Sequence, residues 1–157
     1  MRPLVRFGHV VRLSGIAMVI ACAGALPAAA ATNCSFTTVV GVVFGVYDVF
    51  GASPVDSNGT IVIKCTGNPS LWTLTLSMGN APTYTPRYMI KTAEQLTYNL
   101  YLDAGRTQIW GDGTGGTVLA SGSGNGFSTF TVYGRLPAGV DVTGGAYSDT
   151  IVATINF

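Results

Sequence analysis

The stretch Leu71 to Met78 sets the terms for this chain: Trp72, Leu74, Leu76 and Met78 alternate with Thr73, Thr75 and Ser77. A two-residue period puts one set of side chains on each face of an extended strand, whereas a helix needs apolar residues every three or four positions. The same period recurs along the chain. Ile61 and Ile63 alternate with Thr60, Val62 and Lys64 between Gly59 and Cys65, and Leu96, Tyr98, Leu100 and Leu102 mark one face of a later run. Phe36 to Val43 and Phe127 to Leu136 are rich in Thr, Val and aromatic residues, which suit a pleated, half-buried surface. Gly, Pro, Asn and Asp punctuate these runs, and no long window carries a helical period. The expected fold class is all-β, a sandwich of short strands in one domain. The Gly/Ser/Thr-rich stretch from Gly111 to Gly126 is expected as a long mobile loop, or a loop with a short strand at Thr117 to Ala120.

The last run, Tyr147 to Phe157, ends the chain. Ile151, Ala153, Ile155 and Phe157 alternate with Val152, Thr154 and Asn156. A final strand without a following partner presents either an ordinary edge or one that needs covering.

The first residues read differently. Arg2, Arg6 and Arg12 precede a mostly apolar run from Leu13 to Leu26, then Pro27 and the small residues Ala28 to Ala31. That order is expected of a secretory leader over residues 1–31, cut near Ala30 or Ala31, with the folded domain at 32–157. The apolar run is shorter than the roughly 20 residues a bilayer span requires, so no membrane span is expected. Val19-Ile20-Ala21-Cys22 leaves a lipidated Cys22 as the alternative.

Removing the leader takes three of the eight basic residues and the one histidine, His9, leaving five basic residues against seven acidic. Without a basic patch, nucleic acid is not an expected partner, because its binding rests on neutralising phosphates. Cys34 and Cys65 remain, and an even pair in an exported chain predicts a disulfide.

Residues suited to catalysis are few. With no histidine after His9, Ser-His-Asp and Cys-His arrangements are ruled out. Glu94 is the one glutamate, and nothing in the sequence pairs it with an aspartate as a glycosidase would need. The Gly-x-Gly patterns at Gly111 to Gly115 and Gly122 to Gly126 open no helix and so lack the context of a phosphate cradle. Neither an enzyme, a cofactor nor a metal is expected. Trp110, beside Gly111-Asp112-Gly113, is read as a packed corner residue, with a surface-binding loop of Trp110 and Asp112 kept as the competing reading.

Several short motifs, taken together in order, resemble the spore coat protein U domain family, which also supplies the pilin domain of archaic chaperone–usher pili. They are Phe44-Gly45-Val46-Tyr47-Asp48, Ile61-Val62-Ile63-Lys64-Cys65-Thr66, Tyr98-Asn99-Leu100-Tyr101-Leu102-Asp103, Arg106-Thr107, Trp110-Gly111-Asp112-Gly113, Tyr133-Gly134-Arg135-Leu136-Pro137 and Gly145-Ala146-Tyr147-Ser148-Asp149-Thr150, closing on Asn156-Phe157. The resemblance implies an immunoglobulin-like, pilin-type sandwich lacking its final strand. Its apolar groove would be filled first by a periplasmic pilus chaperone and then by a strand of a neighbouring pilin subunit, delivered at an usher. The edge carrying Ile151, Ala153, Ile155 and Phe157 would pair with the incoming strand. The protein would pass through the periplasm to a surface fibre or coat. Only two or three residues lie between the expected leader cut and Cys34, too few for a donor strand, so a tip or terminal position is expected. A tip-located or secreted binding module that recognises glycans or surfaces is the alternative.

Overall fold

The computed structural model describes residues 31–157. The leader reading of the preceding residues, with its alternative at Cys22, lies outside them. Eight strands follow in order: β1 (Asn33–Val40), β2 (Val55–Thr66), β3 (Trp72–Leu76), β4 (Arg87–Lys91), β5 (Glu94–Tyr101), β6 (Ala120–Gly122), β7 (Gly126–Leu136) and β8 (Ala153–Asn156). There is no helix among the described residues. The strands form a five-stranded sheet, β1-β2-β7-β5-β4, and a three-stranded sheet, β6-β3-β8, with every ladder antiparallel.

The alternation seen in the sequence becomes the core. Ile61 and Ile63 of β2, Leu96, Tyr98 and Leu100 of β5, and Val132 and Leu136 of β7 face Trp72, Leu74 and Leu76 of β3, all buried. Cross-strand neighbours share a face, and the β3–β8 register places Ile155 opposite Leu74 and Ala153 opposite Leu76. The disulfide Cys34–Cys65 forms at the head of the β1–β2 ladder, where the two residues are direct partners.

Three expectations shift. β4 has no counterpart in the sequence reading. Its inward positions are Arg87 and Met89 and its outward ones Tyr88 and Ile90, so a charge sits where the pattern asks for an apolar residue. Arg87 is nevertheless fully buried. Its Nε donates to Ser77 O at 3.0 Å, Nη1 to Asn99 Oδ1 at 2.8 Å, and Nη2 to Ser77 O at 2.9 Å and Trp110 O at 2.6 Å. Burial lowers its pKa, and acceptors on three residues compensate the buried cation in place of a carboxylate.

Second, the 111–126 stretch is ordered by its own bonds. Gly111 N donates to Val118 O at 2.8 Å and Val118 N to Ile109 O at 2.8 Å. Thr117 is buried, and its hydroxyl donates to Thr114 O at 2.7 Å. The short strand comes slightly later than expected, at β6. Third, the final run is strand only from Ala153. From Gly145 to Val152 the chain crosses between sheets, taking single bridges at Tyr47 and Ile90 before joining β3.

An apolar cleft between two unpaired edges

β1 ends one sheet and β8 ends the other, and each pairs on one side alone among the described residues. Their inward residues reveal what this leaves uncovered. Phe36 is registered with Ile63 and Val39 with Ile61. Ile63 and Ile61 are 0% and 3% exposed, but Phe36 and Val39 are 38% and 60% exposed. Residues sharing one sheet face differ this way only if the opposing layer stops short of the edge strand. On the other side Ala153 and Ile155 share a face with the fully buried Leu76 and Leu74, yet remain partly open.

Between the segment that leaves β1 and the segment that leads into β8 lies a cleft of about 630 Å³. One wall is Val39 to Tyr47, the other Gly145 to Ile151 with Ala153, and the floor includes Ile61, Leu76, Leu96, Leu100, Val132 and Leu136. Among the lining residues Asp149 alone carries a charge. Its carboxylate is turned to the protein: Oδ1 accepts from Asn80 N at 2.9 Å and Thr150 N at 2.7 Å, and Oδ2 from Tyr98 Oη at 2.7 Å. Burial, then the Asp149 bond, push the Tyr98 phenol pKa upward, so this hydroxyl stays a donor.

The walls are held from behind. Val42 Cγ1 and Phe44 Cζ sit over Gly134, within 2.5 Å and 2.7 Å of where a Cβ would stand, so any larger residue there would push both side chains aside. Phe44 also meets Tyr98 edge-on, ring centroids 5.9 Å apart. Opposite, Ile90 N donates to Ser148 O at 2.8 Å, and Ser77 N to Val152 O at 2.9 Å. The groove-side backbone is left over. Among the described residues no backbone N–H from Gly41 to Val46 donates to a backbone carbonyl of another segment.

Of the edge residues expected from the sequence, Ile151 and Ala153 line the cleft, while Ile155 and Phe157 lie beyond its lining. Sequence reading missed the wall from Gly145 to Thr150 and most of the opposite wall. The signal available was the pair of motifs at Phe44 to Asp48 and Gly145 to Thr150, which meet here. Trp110 is the packed corner residue expected, and the competing surface-binding reading is the one corrected. It is 0% exposed, its Nε1 donates to Leu74 O at 3.1 Å, and its ring meets Phe130 edge-on at 5.8 Å. With no free face, it offers a ligand no stacking platform. Asp112 stays at the surface, its pKa lowered by the Thr114 hydroxyl and backbone N–H. Among the described residues no three His, Cys, Asp or Glu side chains gather as a metal site, and no helix is long and apolar enough to cross a membrane.

A two-layer, all-antiparallel sandwich with an uncovered seam between its layers is the class of protein this geometry defines. The family model described as "Spore Coat Protein U domain" matches residues 20–154. Protein U of Myxococcus xanthus is 35% identical over 127 residues, covering 73% of this chain and 70% of that protein. This chain belongs to the Spore Coat Protein U domain family. In fold it also matches the crystal structure of the CsuC–CsuE chaperone–tip adhesion subunit pre-assembly complex from archaic chaperone-usher Csu pili of Acinetobacter baumannii. The TM-score is 0.51 at 19% identity, over 81% of this chain and 40% of the matched chain. The likeness is one of fold, and this chain spans less than half of that one's length.

Proposed function

We propose that this protein is a non-enzymatic structural subunit of a bacterial surface fibre or coat, completed by a β-strand from another polypeptide. The observation that carries the reading is the cleft between the chain leaving β1 and the chain entering β8, apolar on its floor and edged, among the described residues, by backbone donors without a backbone acceptor. A strand laid there gains both a ladder and buried side chains, which is the physics of β-strand addition. Four inward apolar side chains contribute about 1.5–3 kcal/mol each, which outweighs an ordering cost of roughly 2–5 kcal/mol for a flexible segment. Family membership supports the same reading. A periplasmic chaperone first, and a neighbouring subunit afterwards, are the partners it calls for, with an usher at the point of exchange. Export through the inner membrane and residence at the cell surface follow.

A terminal or tip position is the finer form of the proposal. Its support is the short reach expected between the leader cut and Cys34, about three residues where a groove-filling strand needs several more. Binding of glycans through Trp110 has no support left, since the ring is buried.

Co-expression tests the main reading. The full chain should self-associate or be degraded when made alone, and should be recovered as a soluble 1:1 complex with its periplasmic chaperone. A lone chain that is monomeric and equally stable with or without the chaperone rules the reading out. End-labelling of native fibres tests the position: regular labelling along the shaft excludes a tip subunit.

A further inference from the structure

Both ends of the cleft are closed, and the closure fixes what it can hold. At one end Tyr47 and Gly145 form a reciprocal backbone pair, Tyr47 N to Gly145 O at 2.9 Å and Gly145 N to Tyr47 O at 3.2 Å. Side chains brace the pair. Tyr47 is buried, and its hydroxyl donates to Val140 O at 3.2 Å and accepts from Val140 N at 2.9 Å. Lys91 Nζ donates to Thr143 Oγ1 at 3.0 Å and Gly144 O at 2.7 Å, and Glu94 accepts from Thr143 N at 3.2 Å and Tyr147 Oη at 2.9 Å. At the other end the lining stops at Val39 and Ala153, and β1 and β8 come within 8 Å of each other, Cα to Cα. A strand paired on both sides needs its neighbours about 9–10 Å apart, so none fits where they stand that close.

The geometry points to a seat of fixed length: the Tyr47–Gly145 pair is a stop that limits the incoming strand to about eight residues, some 26 Å at 3.3 Å per residue. The wall from Val39 to Val46 has that length, as does the stretch from Ala146 to Ala153. The partner is thus an extended segment with about four apolar residues at alternate positions, and its chain must turn away from the seat at the stop. This rests on the strand-accepting reading above and adds to it a limit on length and register.

Peptides of alternating Val and Thr, about six, eight, ten and twelve residues long with a terminal Lys for solubility, test it against the purified full chain. Affinity should rise steeply up to about eight residues and change less than about twofold beyond. The Gly145 amide should keep its hydrogen-exchange protection with every peptide. In the variant carrying K91M and E94Q, which removes the brace, the plateau should move to longer peptides. A further gain above about tenfold between eight and twelve residues, or loss of Gly145 protection on binding, overturns the stop while leaving strand acceptance intact. No binding at any length overturns both.

Discussion

Arg87 is the residue whose role the sequence concealed most fully. Its guanidinium ties β3, through the Ser77 carbonyl that follows it, to β5 through Asn99 and to the corner at Trp110. Replacing it with Leu keeps volume but orphans buried acceptors, and orphaned polar groups cost the full desolvation penalty. Arg87→Leu should lower unfolding free energy by about 3 kcal/mol in urea titration, with an unchanged m-value. Glu94 gives a pH prediction. Hydrogen bonds from the Thr143 hydroxyl and then Tyr147 hold its carboxyl below the ordinary glutamate value. A depressed folded-state pKa stabilises above the unfolded value of about 4.3 and loses that contribution as pH falls through the folded one. Melting temperature should therefore hold steady from neutral pH to about 5 and decline below about 4.3, and Glu94→Gln should make the decline shallower. An identical acid profile in the variant would show that the contacts to Thr143 and Tyr147 carry no linkage.

At the scale of elements, β1 shows how pattern and pairing divide the labour. Its Thr- and Val-rich composition marks a strand, and its partner is fixed by the Cys34–Cys65 bond at the ladder's head. Among the described residues β1 pairs on one side only, so the disulfide restrains an element with few other ties. Closing a loop of about 30 residues restricts the unfolded chain by roughly 2–4 kcal/mol. Replacing both cysteines with Ser should cost about that much, with the first loss of exchange protection in β1 rather than β7. Uniform loss across all strands would mean that β1 is not the weak element. β8 was expected to run from Tyr147, and its period was right for Ala153 and Ile155. The earlier half keeps the parity but not the ladder, because Gly145 to Val152 takes its bonds from Tyr47, Ile90 and Ser77 on three separate segments. A period of two reports which way side chains point; it does not report whether a partner strand runs alongside.

For the molecule as a whole, the consequence is a sandwich whose two layers meet on one flank and gape on the other. Among the described residues the backbone amides from Gly41 to Val46 have no carbonyl partner in other segments, and they should exchange rapidly in the lone chain. Adding a complementary strand should slow them by at least about a hundredfold while leaving β7 unchanged. Slow exchange at these amides without any partner would mean that the flank is already closed.

How much of this was legible beforehand follows from the range of the forces involved. Side-chain alternation is local, so the all-β class, most strands and the inward set of Ile61, Ile63, Leu74, Leu76, Leu96 and Leu100 could be read from the order of residues, and the cysteine pairing from their number. The seam could not. It depends on β1 and β8 falling at the ends of different sheets, on Val42 and Phe44 crossing over Gly134, and on Tyr47 finding Gly145 far along the chain. These are contacts between segments whose separation in sequence carries no periodic signal. Arg87 was hidden for the same reason: burial of a cation is decided by which carbonyls surround it, and those carbonyls are brought together only when the sheets pack.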